Sequence, residues 1–211
     1  KKYRNPVQAQ GENIANAVYN ALGIGAPKSL VYQDDKGRMT FASEIIPNTN
    51  ILGYDIDREE AKAVLKGFAA DVLMANWDAV GLEFDNIVFQ KGNKNPIRID
   101  NGAAFLTRAQ GEYKPSNLLD KVTEYENFQD KNINPTYSQI FKKAAYTKKE
   151  WQKEFKKQVA DIIKTRKKFG DWTKFVSQFP TQTPQIKKAN IAVGKMLEIR
   201  TNKLAKLAQK M

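Results

Sequence analysis

The stretch NWDAVGLEFDNIVF, residues 76–89, decides how the chain is interpreted, together with PIRID at 96–100. Two strand-like runs, IVF and PIRI, alternate with polar residues that favour turns, notably Asp78, Asn86 and Asp100. Asp and Asn favour turns because their side chains bond nearby backbone groups. Carboxylate and amide oxygens are also the ligands that Mg²⁺ prefers. The stretch therefore predicts either plain turns beside a hairpin or a metal-phosphate site.

Composition narrows the chemistry that is open to the chain. Its 211 residues are 41% apolar and 27% charged, which is typical of a globular protein with one domain or two small lobes. His and Cys are both absent. Disulfides, thiolate metal sites, most zinc sites and His-dependent triads are therefore excluded. Any catalysis must use Asp, Glu, Lys, Tyr or Ser, or a hard metal held by oxygen atoms.

The net charge of +12 is concentrated at one end. Residues 1–140 hold 16 Lys and Arg against 18 Asp and Glu, whereas residues 141–211 hold 19 against 5. The 141–211 region thus carries a net charge of +14 and predicts an anionic partner or substrate. The alternative is a solvated face of lysine-rich amphipathic helices.

Hydropathy predicts no transmembrane segment, because no run of about 18 apolar residues occurs. No signal-peptide pattern precedes the first predicted helix. Together with the absence of Cys, this predicts a cytoplasmic or other intracellular location.

Periodicity and turn residues predict strands early and helices late, which is an α+β order. A capping box of Thr147 and Glu150 marks one late helix, and Thr181 or Thr183 starts the last one. The predicted elements are a helix at 8–22, a hairpin with strands at 29–32 and 39–46, one helix at 58–76, a hairpin with strands at 86–90 and 97–100, an irregular segment at 102–134, and helices after Pro135.

Phosphoryl transfer from ATP needs few protein groups. A Lys binds the nucleotide phosphates, a Glu orients that Lys, an Asp meets the acceptor hydroxyl, and an Asn and a second Asp hold Mg²⁺. The sequence supplies these residues in this order: Lys1 or Lys2, Glu12, Asp78, Asn86 and Asp100. Lys1 is the better candidate of the two, and Asp85 is a bystander.

This order resembles the atypical kinases, namely the phosphoinositide kinase-like group and the HipA-type bacterial kinases. In those families a catalytic-loop Asp is followed by an Asn and by a hairpin that ends in Ile-Asp-x-Gly; IDNG stands here at 99–102. GENIANAVYNALGIGAP, at 11–27, resembles the helix that carries their Lys-pairing Glu. FASEII, at 41–46, resembles the strand that leads to their adenine-binding hinge.

The resemblance implies a kinase-like bilobal fold with an incomplete N-lobe at 1–46 and a mainly helical C-lobe at 47–211. The C-lobe would contain a catalytic loop at 76–86, a metal hairpin at 86–102 and a basic helical region at 135–211. The implied cofactors are ATP and Mg²⁺. The implied roles are Asp78 as the catalytic residue, Lys1, Lys2, Glu12, Glu44 and Ile46 at the nucleotide, and Asn86 and Asp100 at the metal.

The sequence departs from the family pattern in four ways. The spacing from Asp78 to Asn86 is eight residues where five is usual, and Ala79 replaces the usual Arg or His. Asn101 stands where Phe is common, and no glycine-rich phosphate loop precedes Lys1. The last point predicts a piece of a longer chain or assembly.

The acceptor is left open between protein Ser/Thr, a lipid, and transfer of AMP instead of phosphate. Arg108 and Lys114 lie where an activation segment would run and are candidates for substrate contact. Two other functions remain: a catalytically inactive kinase-like module in a larger assembly, and a basic nucleic-acid-binding helical module.

Overall fold

The fold is a mixed α+β arrangement in which small antiparallel sheets precede a mainly helical half. A computed structural model describes residues 1, 3–35, 39–116 and 120–211. The strands are β1 Ser29–Gln33, β2 Met39–Ser43, β3 Thr49–Ile51, β4 Ile87–Gln90 and β5 Pro96–Arg98. The helices are α1 Pro6–Ala21, α2 Arg58–Leu65, α3 Phe68–Leu73, α4 Glu124–Asn127, α5 Pro135–Ala144, α6 Lys148–Lys168, α7 Trp172–Ser177 and α8 Pro184–Gln209, with a 3₁₀ turn at Asn101–Ala103.

Both predicted hairpins are present, and one gains a strand. β1 pairs antiparallel with β2, with Val31 opposite Phe41. β4 pairs with β5 and also with β3, which places Ile51 opposite Val88. The segment around β3 was predicted to be irregular. That prediction is wrong because three residues are too few for a pattern and the strand exists through its partner β4.

Local capping signals place the helices after Pro135 as predicted. The Asn134 side chain accepts from the Tyr137 N–H at the start of α5, where Pro135 takes the first helical position. Thr147 and Glu150 form the capping box of α6. Of the two predicted starts for the last helix, Thr183 is the one used.

The single helix predicted at 58–76 is divided at Gly67, which is a correction. A Cβ on Gly67 would lie 2.5 Å from the guanidinium of Arg98, so the break makes room for that side chain. Arg98 donates to the carbonyl of Val64 at 3.0 Å. Gln158 of α6 donates to the Leu65 carbonyl at 2.8 Å and accepts from the Ala69 N–H at 2.9 Å. These distant side chains satisfy the backbone groups that the break exposes.

A large apolar core lies under α2, α3 and the later helices, with Phe68 at its centre. Its ring meets six aromatic side chains, mostly edge to face: Tyr125, Phe128, Tyr137, Phe141, Trp151 and Phe155. A smaller core under β1 and β2 includes Val31, Phe41 and Ile186 of α8. The first turn of α8 therefore supports the N-terminal hairpin. Within the described residues, no helix is both long and apolar enough to cross a membrane.

Candidate active site

Lys1 is held in place by the edge of β2. Its carbonyl accepts from the Phe41 N–H at 3.1 Å. From that position the Lys1 ammonium forms an ion pair with the Asp100 carboxylate and lies 3.9 Å from Glu12 Oε2. The structure thus brings together a cation and two acids that are far apart in the sequence. Lys2, the alternative phosphate ligand, lies outside the described residues.

Glu12 is the buried member of this group. It lies on α1, its side chain is 5% exposed, and it accepts a hydrogen bond from the Tyr3 hydroxyl. That hydroxyl fits because Gly102 has no side chain; a Cβ there would lie 2.8 Å from it. Burial raises the pKa of Glu12 to about 7, with the Asp100 charge acting in the same direction and Lys1 opposing it. The Gly of the IDNG motif therefore has a local role beside Glu12.

Asp100 projects from the end of β5 in a left-handed backbone conformation, with φ 52° and ψ 52°. Asp tolerates this region better than most residues. The next residue anchors the turn: the buried Asn101 amide donates to Asn16 Oδ1 at 2.8 Å and accepts from Asn76 Nδ2 at 3.1 Å. Asn101 thus ties the turn both to α1 and to the start of the predicted catalytic loop. Asn101 therefore anchors the turn by hydrogen bonds.

The predicted catalytic loop is longer than usual but closes on itself. Asn86 Nδ2 donates to the backbone carbonyl of Asp78 at 2.7 Å, so the loop's two ends meet. Gly81, at φ +80°, donates its N–H to the same carbonyl at 3.2 Å. Burial raises the pKa of the half-buried Asp78, and the charges of Asp100 and Asp85 add to this. The eight-residue spacing therefore still delivers Asp78 and Asn86 to one place, with Asp100 close enough to act on Asp78.

The five residues Lys1, Glu12, Asp78, Asn86 and Asp100 are called the candidate site below. Glu44 and Ile46, predicted at the adenine, lie in the segment after β2, so the strand predicted at 39–46 ends earlier, at Ser43. Glu44 is exposed, and its N–H donates to the Lys28 carbonyl at 2.9 Å. No hydrogen bond within the described residues joins either one to the candidate site. Their role stays a prediction.

Sequence analysis missed a buried ion pair behind the candidate site. Arg98 Nε donates to Asp71 Oδ1 at 2.7 Å, and both side chains are 0% exposed. Tyr19 and Tyr137 donate their hydroxyls to the same carboxylate. Burial raises the pKa values of both tyrosines, and the Asp71 charge adds to this. Tyr19 also accepts from Asn76, which joins this cluster to the candidate site. A signal was available: Asp71 interrupts the apolar face formed by Val64 and Phe68 at helical spacing.

Lys114 was predicted to contact substrate, but it forms internal contacts. Its Nζ donates to the carbonyls of Ala75 at 2.7 Å and Ala103 at 2.6 Å. These carbonyls belong to the segments that lead into Asp78 and out of Asp100. Burial lowers the pKa of Lys114 to about 7, with Glu124 opposing the shift. Arg108 is exposed, and a substrate contact by it stays a prediction.

The donor set at the candidate site fits magnesium only if phosphate oxygens complete it. No three acidic side chains gather into a ready-made metal site anywhere in the described ranges. Asn86 and Asp100 supply one amide and one carboxylate oxygen, and Mg²⁺ is typically bound by one or two carboxylates plus substrate phosphates and water. The residues present therefore suit a metal that arrives with a nucleotide.

Two sizeable clefts lie away from these residues. One, of about 340 Å³, lies between the end of α1 and α6, beside Gly23 and Lys157. Another, of about 620 Å³, lies between α1 and β1 and includes Asn13 and Phe179 in its walls. The converging charged groups, rather than these clefts, mark the candidate site, because charge and proton transfer require such groups.

No protein-family model matches this chain, and no curated protein matches it. The fold is similar to the crystal structure of the Helicobacter pylori proinflammatory kinase CtkA. The match has a TM-score of 0.54 and 13% sequence identity, and it covers 98% of this chain and 85% of that chain. At this identity the likeness concerns the fold alone. The chain has a kinase-like α+β fold, as the sequence predicted.

Proposed function

We propose that this chain is an ATP- and Mg²⁺-dependent phosphotransferase of the atypical kinase type. The observation that carries the proposal is the convergence of Lys1, Glu12 and Asp100, with Asp78 close beside them. Lys1 lies beside β2 and Glu12 lies on α1, whereas Asp100 follows β5 and Asp78 follows α3. Ordinary turn chemistry explains each acid alone, but it gives no reason for Glu12 and Asp100 to meet one lysine.

Each residue has a role that its position supports. Lys1 would bind nucleotide phosphates, because its side chain is 42% exposed and its ammonium group lies beside the acids. Glu12 would orient Lys1 from the buried side. Asp78 would accept the proton of an acceptor hydroxyl, and its raised pKa suits a group that must take up a proton. Glu44 and Ile46 would bind adenine through the segment after β2.

Asn86 and Asp100 would hold Mg²⁺, which supplies charge neutralisation on the transferring phosphate. Asn86 suits this role because its amide nitrogen donates to the Asp78 carbonyl. Its amide oxygen, on the other side of the same group, would be the atom that binds the metal. Asp100 suits it because its side chain is 54% exposed and its only ion-pair partner in the described chain is Lys1. A nucleotide phosphate would take over that lysine and release the carboxylate for metal.

The proposal is tested by nucleotide binding and phosphotransfer with the purified protein. Mg²⁺-ATP should raise thermal stability by mass action, by about 2.7 kcal/mol at a hundredfold excess over Kd. Asp100→Asn should remove the dependence on Mg²⁺. Asp78→Asn should keep the stabilisation but lower phosphotransfer about 10²- to 10⁴-fold. Asp55→Asn, at an exposed acid outside the candidate site, is the matched control and should change neither.

Two outcomes would replace the proposal. Stabilisation by Mg²⁺-ATP without transfer of phosphate or AMP to protein, peptide or lipid acceptors would indicate a nucleotide-binding module without catalysis. No stabilisation at millimolar Mg²⁺-ATP would favour a kinase-like structural module. Among acceptors, protein Ser/Thr and lipid hydroxyls are tested side by side, because nothing at the candidate site selects between them.

A further inference from the structure

The outer face of α8 carries a row of exposed lysines and isoleucines at helical spacing. Successive members are three or four residues apart, so they lie along one side of the helix. We call this row the α8 stripe; its members are Lys188, Ile191, Lys195, Ile199, Lys203 and Lys206. From Lys188 to Lys206 it extends about 27 Å along the helix axis, at 1.5 Å per residue.

The stripe keeps its positive charge because no acid of the described residues forms an ion pair with its lysines. Glu198 is the one acid in α8, which is described over its whole length. It is already occupied: it forms an ion pair with Arg166 at 2.5 Å and accepts from the Trp172 N–H at 2.6 Å. On a surface that is merely solvated, acidic and basic side chains are usually mixed. The α8 stripe has basic side chains and no acidic ones.

Helix α6 gives a contrast within the same molecule. It is even richer in lysine, but acids stand among its lysines, including Glu150, Glu154 and Asp161. Lys157 and Asp161 form an ion pair at 3.0 Å. The exposed face of α6 is thus typical of a solvated lysine-rich helix, whereas the α8 stripe is selectively cationic.

The two isoleucines indicate which polyanion fits. Ile191 is 52% exposed and Ile199 is 38% exposed, although each sits between lysines. Lysines with apolar side chains between them suit the interface of an anionic membrane, where the cations meet headgroups and the apolar groups enter the acyl boundary. Nucleic acid is favoured by arginine forks and stacking aromatics. The stripe has neither, and Trp151 and Trp172 are buried in the core.

The stripe is also rigidly placed relative to the rest of the fold. Ile186, in the turn of α8 just before it, belongs to the small core under β1 and β2. Gln185 donates to the Tyr113 hydroxyl at 3.2 Å, so the stripe begins beside the segment that follows the candidate site in the chain. A surface that binds this stripe would hold the whole domain in one orientation.

We propose that the α8 stripe is a peripheral docking surface for membranes that contain anionic lipids. Its lysines provide the electrostatic attraction, and Ile191 and Ile199 provide a shallow apolar contact. The proposal does not depend on phosphotransfer, because no residue of the candidate site takes part.

The test is sedimentation of the full protein with phosphatidylcholine vesicles that contain or lack phosphatidylserine. The stripe variant combines K188Q, K195Q, K203Q and K206Q. The control variant combines K149Q, K153Q, K156Q and K164Q on exposed positions of α6, with the same change in net charge. About 1 kcal/mol per lysine near the surface corresponds to about fivefold each, so the stripe variant should lose more than about 50-fold in affinity. The control should lose less than about fivefold.

A third variant, I191S with I199S, separates apolar contact from charge. It should weaken binding about tenfold at moderate salt, where lysine attraction is partly screened. All variants are checked for native circular dichroism and melting temperature. Three results would overturn the proposal: no binding of the wild type to phosphatidylserine vesicles, equal losses in the stripe and control variants, or stripe-dependent binding to duplex DNA or RNA that exceeds binding to vesicles.

Discussion

Two ion clusters lie at the end of the same β-strand and have opposite characters. Arg98 and Asp71 are fully buried, and tyrosine hydroxyls share the carboxylate. Two residues further on, Asp100 meets Lys1, and both side chains are about half exposed. The first cluster is closed to solvent and surrounded by donors, whereas the second is open and holds more acids than cations.

The difference separates structural charge from charge that is available for chemistry. A buried pair whose carboxylate accepts from several donors holds the helix break at Gly67 and the hairpin in one arrangement. An open pair can exchange partners at little cost, because water and incoming groups replace what is lost. The proposed phosphate and metal site needs an open pair such as Lys1 and Asp100, held in place by a buried pair such as Arg98 and Asp71.

The largest expected effect is on the closed cluster. Asp71→Asn keeps the volume but leaves Arg98 as a buried charge without its partner. Breaking a buried pair in this way is expected to lower the free energy of unfolding by about 3–5 kcal/mol. Asp100→Asn, the matching change in the open pair, should change it by about 0–1 kcal/mol. Urea denaturation of both variants measures the contrast, and similar losses would show that the two clusters do not differ as described.

The sequence predicts features that depend on neighbouring residues better than features that depend on residues far apart in the chain. Helix starts at Asn134, Thr147 and Thr183 were predictable because each cap signal lies within four residues. The candidate site was predictable only as an order of residue types. The break at Gly67 was not, because the groups that stabilise it, Arg98 and Gln158, are 31 and 91 positions further on. A local sequence pattern does not show contacts between residues that are far apart in the sequence.

Gln158 offers the second test, at the helix break that the closed cluster stabilises. Gln158→Met keeps similar length but leaves the Leu65 carbonyl and the Ala69 N–H without this partner. Each buried group left unsatisfied costs about 1–3 kcal/mol, so a loss of about 2–3 kcal/mol is expected. Gln152→Met is the control on the same helix, since Gln152 forms no side-chain hydrogen bond within the described chain. Equal denaturation midpoints for the two variants would contradict this account of the break.

Glu12 provides a third test through pH, on the buried side of the open cluster. Its folded pKa of about 7 exceeds the ordinary 4.5, so the folded protein binds the extra proton between these values. Stability should therefore fall as pH rises from about 4.5 to 7, and the decrease should persist above pH 7. Glu12→Gln removes this decrease. The variant should be about 2 kcal/mol more stable than wild type at pH 8 and nearly equal at pH 4.5.

Denaturant midpoints for wild type and Glu12→Gln across this pH range measure that difference. Glu83→Gln changes an exposed acid and should leave the pH profile unchanged. A Glu12→Gln profile parallel to wild type would mean that the folded pKa of Glu12 is close to that of an ordinary exposed acid.

The smallest expected effect concerns Lys114, which connects the two regions. Its ammonium donates to the Ala75 carbonyl, and the next residue, Asn76, donates to Tyr19 of the closed cluster. It also donates to the Ala103 carbonyl, in the turn that follows Asp100 of the open cluster. Its folded pKa, about 7, is below the ordinary 10.5. Between these values the unfolded chain binds more protons, so wild-type stability should rise with pH above about 7. Lys114→Met should lack this rise and be about 1 kcal/mol less stable than wild type at pH 9.5, once partial exposure is discounted.

The comparison at pH 6 separates charge from hydrogen bonding. There Lys114→Met loses two hydrogen bonds but also loses a buried charge, so its stability should be close to that of wild type. Above pH 7 the neutral amine still donates to both carbonyls without the cost of burying a charge, so the wild type gains stability over the variant as this proton leaves. Lys131→Met, at an exposed lysine, should follow the wild-type profile. If Lys114→Met also follows it, the lysine is not buried enough to couple the closed cluster to the open one.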